Sequence, residues 1–338
     1  MPDIECSPGS PAAATGHQAE NPCIPQMNCD PGEIWSCQPF TCAPKKGQVT
    51  AGVQADIHFL WLDLTRDCQL KCGHCYNESG PGGDRELLTL LGSSSGLMQP
   101  ANWMSVLDQA KESGVTVVQL IGGEPTMYAG FPQVLAHAVM IGLKVEIYTN
   151  MVNIRAQWWD LFKHPHVSLA TSYYSDDPEE HNRITERDSH RKTRANIIQA
   201  IALRIPLRVG IVQKYPTQRV REARAELEAL GVRSDRIGLD KVRAFGRGQG
   251  DHAACDVNEL CGHCGNGRAA IGPDGTVTPC IMSSWMGVGN ARTQPLADIV
   301  AGTAMEQARA IIPKRVAADP CEPGAECKPD AYPCQPEA

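Results

Sequence analysis

From Asp56 onward, short runs of apolar residues alternate with longer stretches in which apolar residues recur at helical spacing. The short, strand-like runs cover residues 57–64, 115–121, 143–149, 167–172 and 207–212. The helical stretches cover residues 100–113, 131–141, 155–163, 194–204 and 219–230. This order predicts βαβ units around a parallel sheet, either as an open doubly wound sheet or as a barrel. In both architectures the chemistry collects at the carboxyl ends of the strands.

The flanking segments differ from this α/β region. Residues 1–54 are rich in Pro, Gly and polar residues and predict a loop-like or disordered extension. We therefore divide the chain into an extension (1–54), an α/β domain (55–250) and a small Cys-rich domain (251–338). The extension contains five cysteines, which either bind metal or are exposed thiols: Cys6, Cys23, Cys29, Cys37 and Cys42.

Charge and hydropathy exclude several classes of protein. The chain has 31 basic and 38 acidic residues and a net charge of −7, which argues against a nucleic-acid partner. No run of eighteen apolar residues predicts a membrane span, and residues 1–20 lack the pattern of a secretory signal. We expect a cytoplasmic protein. In a reducing compartment its 15 cysteines indicate metal or redox chemistry rather than disulfides.

Three cysteines follow the first predicted strand at C-x3-C-x2-C spacing: Cys68, Cys72 and Cys75. Three thiolates on one loop can bind three irons of a [4Fe–4S] cluster and leave the fourth iron open for a cofactor or substrate. The alternative is a zinc knuckle, but structural zinc sites favour four closed ligands with C-x2-C pairs.

The segment from Cys68 to Tyr76 resembles the cluster loop of the radical S-adenosylmethionine (SAM) enzymes, including the aromatic residue after the third cysteine. The resemblance implies a partial (β/α)6 barrel, a [4Fe–4S] cluster and reductive cleavage of SAM to a 5′-deoxyadenosyl radical. One βα unit later, Gly122, Gly123, Glu124 and Pro125 match the family motif that holds the SAM amino group.

The same resemblance implies further SAM contacts. At the ends of the third and fourth strands, Thr149, Asn150 and Ser172 match family positions that contact SAM. Ile211 is expected against the adenine, and Arg183 is a carboxylate partner in competition with Arg187 and Arg194. The sequence departs from the family where Tyr173, Tyr174 and Ser175 replace Leu-Asp-Gly. Near the last barrel strand, Asp240 is a candidate base beside Arg243 and Arg247; a salt-bridged loop is the alternative.

The C-terminal cysteines carry a second resemblance. Cys261 or Cys264, with Gly275 and Cys280, satisfies the C-x(9–15)-G-x4-C pattern that opens SPASM and twitch domains. A Gly-Pro-Asp-Gly turn at 272–275 predicts a hairpin between them. The tail supplies Cys321, Cys327 and Cys334, although its spacing matches a full SPASM domain only in part. We expect one auxiliary cluster; a second cluster and a zinc site on Cys261 and Cys264 stay open.

The resemblance leaves two substrate classes. SPASM relatives form thioethers or other crosslinks in ribosomally made peptides, or epimerise a residue, and we take this as the main interpretation. The alternative is dehydrogenation or decarboxylation of a small sugar, aminocyclitol or nucleoside. A third possibility is a non-catalytic iron–sulfur electron carrier. Expected partners are an electron donor such as flavodoxin or ferredoxin and a separate peptide-recognition protein.

Overall fold

The computed structural model describes residues 57–92, 96–250 and 255–314. The predicted extension, its five cysteines and the tail cysteines Cys321, Cys327 and Cys334 lie outside these residues. No helix in the three described ranges is long and apolar enough to cross a membrane.

Six parallel strands pair side by side in chain order and form the main sheet. They are β1 (Phe59–Asp63), β2 (Val117–Ile121), β3 (Lys144–Tyr148), β4 (Val167–Tyr173), β5 (Leu207–Gln213) and β6 (Ile237–Lys241). Strands β1 to β5 are rich in β-branched or apolar residues, as expected for strands that are covered on both faces. The edge strand β6 is mostly exposed. The order confirms the predicted partial barrel rather than a doubly wound sheet, whose strand order would reverse.

Helices connect the strands and cover the outer face of the sheet. Within the described residues they are α1 (Gly83–Leu91), α2 (Pro100–Glu112), α3 (Phe131–Met140), α4 (Trp158–Phe162), α5 (Pro178–Thr185), α6 (His190–Ala202), α7 (Val220–Leu230), α8 (Leu296–Val300) and α9 (Thr303–Ile311). Proline opens α2 and α5, where its fixed φ suits the first turn. The sequence pattern missed α1, α5 and α9, which are all shorter than ten residues.

The C-terminal hairpin extends the barrel sheet. Strand β7 (Arg268–Ile271) pairs in parallel with β1, and β8 (Thr276–Thr278) and β9 (Gly289–Asn290) follow in antiparallel. The predicted turn is present: the Gly272 amide donates to the Thr276 carbonyl at 2.8 Å. Asp274 accepts hydrogen bonds from the Thr276 amide and hydroxyl, which fixes the turn. The hairpin therefore places Cys261, Cys264 and Cys280 near β1.

Alternation along the strands separates two hydrophobic cores. On β1, Leu60 and Leu62 face the helices, whereas Phe59 and Trp61 face the barrel interior. The interior cluster also contains Cys264, Cys280 and Met282. Burial of each large side chain contributes about 1.5–3 kcal/mol. The inward face of the sheet thus packs against Cys264 and Cys280.

Candidate active site

A cavity opens at the carboxyl ends of the strands, and the three loop cysteines lie on its wall. The residues expected to bind a cofactor that also line it are Tyr76, Gly122, Gly123, Asn150 and Ser172. These residues come from the cysteine loop and from the ends of β2, β3 and β4. The parallel sheet brings them together because all these strands end at the same edge.

The cysteine loop is held by its own backbone and by a distant arginine. The Cys68 amide donates to the Gly80 carbonyl at 3.0 Å, and the Cys75 amide donates to the Cys72 carbonyl at 3.2 Å. Arg247, after β6, donates from Nε to the Cys72 carbonyl at 2.8 Å and from Nη2 to the Ser79 carbonyl at 2.7 Å. Two hydrogen bonds from the segment after β6 therefore hold the loop in place.

The environment of the loop thiols fits a metal cluster. Burial, together with the nearby Glu124 carboxylate, raises the pKa of Cys68 well above its ordinary value, and burial with the neighbouring Cys75 thiol raises the pKa of Cys72 to about 12. Without a metal these thiols are neutral, whereas iron would deprotonate them outright. In the described parts of the chain, no three His, Cys, Asp or Glu side chains are grouped around one metal ion. A cluster fits the neutral thiols and the spacing between them, because each thiol then binds a different iron.

The two glycines allow a close backbone contact with the segment before Cys68. Gly122 has φ of 141°, and a Cβ there would lie 2.6 Å from the Thr65 carbonyl oxygen. A Cβ on Gly123 would lie 2.5 Å from the Asp67 carbonyl oxygen. Any side chain at either position would push the two loops apart. Glycine here presses the backbone after β2 against the loop that carries the cysteines.

Glu124 is buried and already saturated with hydrogen bonds. Its Oε1 accepts from the Thr126 amide and hydroxyl and from the Thr149 hydroxyl, and its Oε2 accepts from the Asn150 amide at 2.8 Å. Burial raises the pKa of this carboxyl, and the hydrogen bonds act in the opposite direction. The side chain joins the glycine loop to the end of β3. A ligand amino group would meet the backbone of this motif rather than the Glu124 carboxylate.

Other expected SAM contacts lie away from the cavity. Pro125 and Thr149 are buried behind its wall. Ile211 packs in the core between sheet and helices, because on β5 it is Gly210 that faces Tyr148 and Asp240. Arg183 points outward on α5, where its side chain is 66% exposed and contacts Glu180 and Tyr215.

The two competing arginines are also engaged elsewhere. Arg194 pairs with Glu226 at 2.6 Å, and Arg187 donates to the Glu186 carbonyl. Among the described residues, the arginines on the cavity wall are Arg243 and Arg247.

The folded chain adds polar wall residues that were not assigned from the sequence: His74, Tyr148, Tyr174, His181, Thr185 and Thr193. Burial lowers the pKa of His74 to about 4 and that of His181 to about 3, with nearby positive groups acting in the same direction. Both imidazoles are therefore neutral at neutral pH. His181 and Thr193 come from α5 and α6, whose polar sequences give no signal of a role in the cavity.

Asp240 lies on β6 behind this wall. Its Oδ2 would be 3.7 Å from a Cβ built on Gly210, and the Tyr148 hydroxyl would be 3.6 Å from the same point. The Tyr148 hydroxyl also lies 2.9 Å from the Ser172 hydroxyl. Asp240 is not among the residues that line the cavity, so its role as a base stays a prediction.

Cys261, Cys264 and Cys280 meet in the interior core. The Cys264 thiol lies within hydrogen-bonding distance of both other thiols, and these contacts and burial strongly raise its pKa. The Gly265 amide donates to the Pro279 carbonyl at 2.8 Å and holds the two segments together. The hairpin thus brings together thiols that are up to nineteen residues apart.

The described cysteines are not all free. Cys68, Cys72, Cys75, Cys261, Cys264 and Cys280 are free thiols, whereas Cys255 is disulfide-bonded. Cys255 therefore departs from the expectation that the chain forms no disulfides. A zinc site on Cys261 and Cys264 stays an untested alternative, because Cys321, Cys327 and Cys334 lie outside the described residues.

Comparison with known proteins places these features in a wider group. A model of the radical SAM superfamily matches residues 62–213, and the SPASM model, an iron–sulfur cluster-binding domain, matches residues 261–328. A PqqA peptide cyclase of Xanthomonas oryzae pv. oryzae is 27% identical over 281 residues, which is 70% of this chain and 72% of the relative.

Solved structures share the fold. SuiB of Streptococcus suis bound to S-adenosylmethionine has a TM-score of 0.60 at 17% identity and covers 76% of this chain and 68% of its own. SuiB bound to the precursor peptide SuiA has a TM-score of 0.59 at 16% identity, with coverage of 75% and 66%.

Proposed function

Because the chain belongs to the radical SAM superfamily and carries a C-terminal SPASM domain, we propose that it modifies a ribosomally made peptide. The modification is a crosslink, a thioether or an epimerised residue. The curated relative is named a peptide cyclase, and the neighbouring SuiB fold is known with a precursor peptide bound. An electron donor such as flavodoxin or ferredoxin and a separate peptide-recognition protein complete the proposed system.

The observation that carries this proposal is the convergence of Cys68, Cys72 and Cys75 with the Gly122–Gly123 backbone on one cavity. We assign the three thiols as ligands of the [4Fe–4S] cluster and the glycine backbone, Asn150 and Ser172 as the adjoining SAM surface. The [4Fe–4S] cluster and SAM, when bound, supply the 5′-deoxyadenosyl radical, which removes hydrogen from an unactivated carbon. An auxiliary cluster serves as the electron acceptor.

The chain's own residues set the surroundings of that step. The neutral His74 and His181 keep positive charge off their part of the wall, and Arg243 and Arg247 lie on the same wall. Asp240 stays the candidate base that the sequence predicts; it lies behind this wall and does not line the cavity. Cys261, Cys264 and Cys280 would hold an auxiliary cluster, with Cys321, Cys327 and Cys334 as candidates for the remaining ligands.

The test uses full-length protein, reconstituted with iron and sulfide under anaerobic conditions and supplied with SAM and dithionite. We expect release of 5′-deoxyadenosine, measured by chromatography, and its loss in Cys72→Ala. Short peptides encoded beside the gene are then added and analysed by mass spectrometry, in D₂O to detect epimerisation. If the clusters are intact but no 5′-deoxyadenosine is released, the protein is a non-catalytic electron carrier. Modification of a sugar, aminocyclitol or nucleoside, but of no peptide, would establish the small-molecule alternative.

A further inference from the structure

The side-chain amide of Asn150 points its nitrogen at a cysteine of the cavity. Its Nδ2 lies 3.5 Å from Cys68 Sγ. Its Oδ1 accepts one hydrogen bond from Gln69 Nε2 at 2.8 Å and another from the Val152 amide at 3.0 Å. An amide's oxygen and nitrogen are told apart by their partners, and two donors on one atom identify that atom as the oxygen. The NH₂ group therefore faces the sulfur.

The backbone of Asn150 is fixed as firmly as its side chain. Its amide donates to Glu124 Oε2 at 2.8 Å, and its carbonyl accepts from the Thr193 hydroxyl at 2.9 Å. The side chain cannot turn away from Cys68 without breaking bonds to Gln69 and Val152. A second donor, the Leu70 amide, lies 3.4 Å from the same sulfur. Cys68 Sγ thus receives one side-chain and one backbone N–H.

We propose that Asn150 is a positioning residue that makes the SAM-binding cluster easier to reduce, by donating a hydrogen bond to the Cys68 sulfur. The proposal rests on the assignment of Cys68 as a cluster ligand. A hydrogen bond withdraws electron density from a thiolate and so favours the more negative, reduced cluster; hydrogen bonds to sulfur are among the factors that set cluster potentials. The expected role of Asn150 as a SAM contact is compatible with this, since the same residue lines the cavity.

The decisive variant is Asn150→Asp, which keeps the shape of the side chain. One carboxylate oxygen still accepts from Gln69 and Val152, while the other faces sulfur without a proton to donate. Asn153→Asp is the matched control, because Asn153 is exposed three residues further along the same loop and acquires the same charge. Asn150→Ala removes the donor without adding charge.

The readout is the midpoint potential of the cluster in reconstituted full-length protein, from a redox titration followed by electron paramagnetic resonance. The signal that changes when SAM is added identifies this cluster among the others. We expect the potential to shift to more negative values in Asn150→Asp, less so in Asn150→Ala, and to stay at the wild-type value in Asn153→Asp. Iron content measured alongside shows that the cluster is assembled.

Two results would overturn the proposal: wild-type potentials in both Asn150 variants, or an equal shift in Asn150→Asp and Asn153→Asp. Cys68→Ala separates this failure from failure of the proposed function. If the Cys68→Ala protein keeps the SAM-responsive signal, the ligand assignment itself is wrong. If that signal is lost while the Asn150 potentials are unchanged, the ligand assignment stands and the tuning role is wrong.

Discussion

Within the described residues the free cysteines form two trios, and these trios are held in opposite ways. Cys68, Cys72 and Cys75 lie within eight residues of one loop, and hydrogen bonds from distant parts of the chain hold that loop. Cys261, Cys264 and Cys280 span twenty residues and meet inside an apolar cluster with Phe245 and Met286. The first trio is local in sequence with polar supports, whereas the second is assembled by a hairpin and by packing.

This contrast has consequences for how each site fails. In the first region, the buried Glu124 carboxylate accepts hydrogen bonds from Thr149 and Asn150, so the loss of one of these bonds leaves a buried group unsatisfied. In the second region the thiols contact each other, and each is part of the core that holds the hairpin to β1. Changes to the two regions are therefore expected to separate radical generation from the later steps.

The largest expected effect is the separation of the two activities by Cys264→Ala. We expect iron content to fall by about four atoms per chain, one cluster's worth, while release of 5′-deoxyadenosine continues. Peptide modification is expected to drop by at least about tenfold, because even the loss of a group that only supports a metal ligand typically costs this much. Iron analysis, chromatography and mass spectrometry on the same preparation measure all three.

Cys72→Ala is the reciprocal control for this prediction. It is expected to abolish 5′-deoxyadenosine while leaving the auxiliary iron in place. If Cys264→Ala also abolished 5′-deoxyadenosine, the two trios would not be independent, and the contrast between them would be wrong.

The second effect is on stability in the polar region. In Glu124→Gln the new NH₂ group faces a backbone N–H donor, that of Thr126 at one position or that of Asn150 at the other, so at least one buried hydrogen bond is lost. We expect the free energy of unfolding to fall by about 1–3 kcal/mol. Denaturant titration of the reconstituted protein measures the change. Glu86→Gln on the exposed face of α1 is the control, and an equal loss in both variants would contradict the argument.

The sequence predicts those parts of the site that depend on residues close together in the sequence. The cysteine spacing, the Gly122–Gly123 turn and the hairpin at Gly272 are local patterns, and each is where the motif indicated. Ile211 faces the helices because of its position on β5, and Arg183 faces solvent because of the rotation of the short helix α5. A motif match carries no information about either orientation. Arg247 contacts Cys72 across 175 positions of sequence, and such a contact has no local signal.

The smallest expected effect concerns a buried histidine of the polar region. Burial and the nearby His190 lower the pKa of His181 to about 3, from 6.5. Below pH 6.5 the unfolded chain binds a proton on His181 that the folded chain does not bind. The free energy of unfolding is therefore highest above pH 6.5 with respect to this group and declines as the pH falls below that value. His181→Phe keeps a ring against Tyr173 and Tyr174 but cannot take up this proton. Between pH 7 and 5.5, the variant should lose about 1 kcal/mol less unfolding free energy than the wild type. Denaturant titrations at the two pH values measure this difference.

The control variant is His166→Phe, on the surface, which should retain the wild-type decline in stability. An unchanged decline in His181→Phe would mean that His181 is already charged in the folded protein. The polar wall would then be more hydrated than its burial indicates.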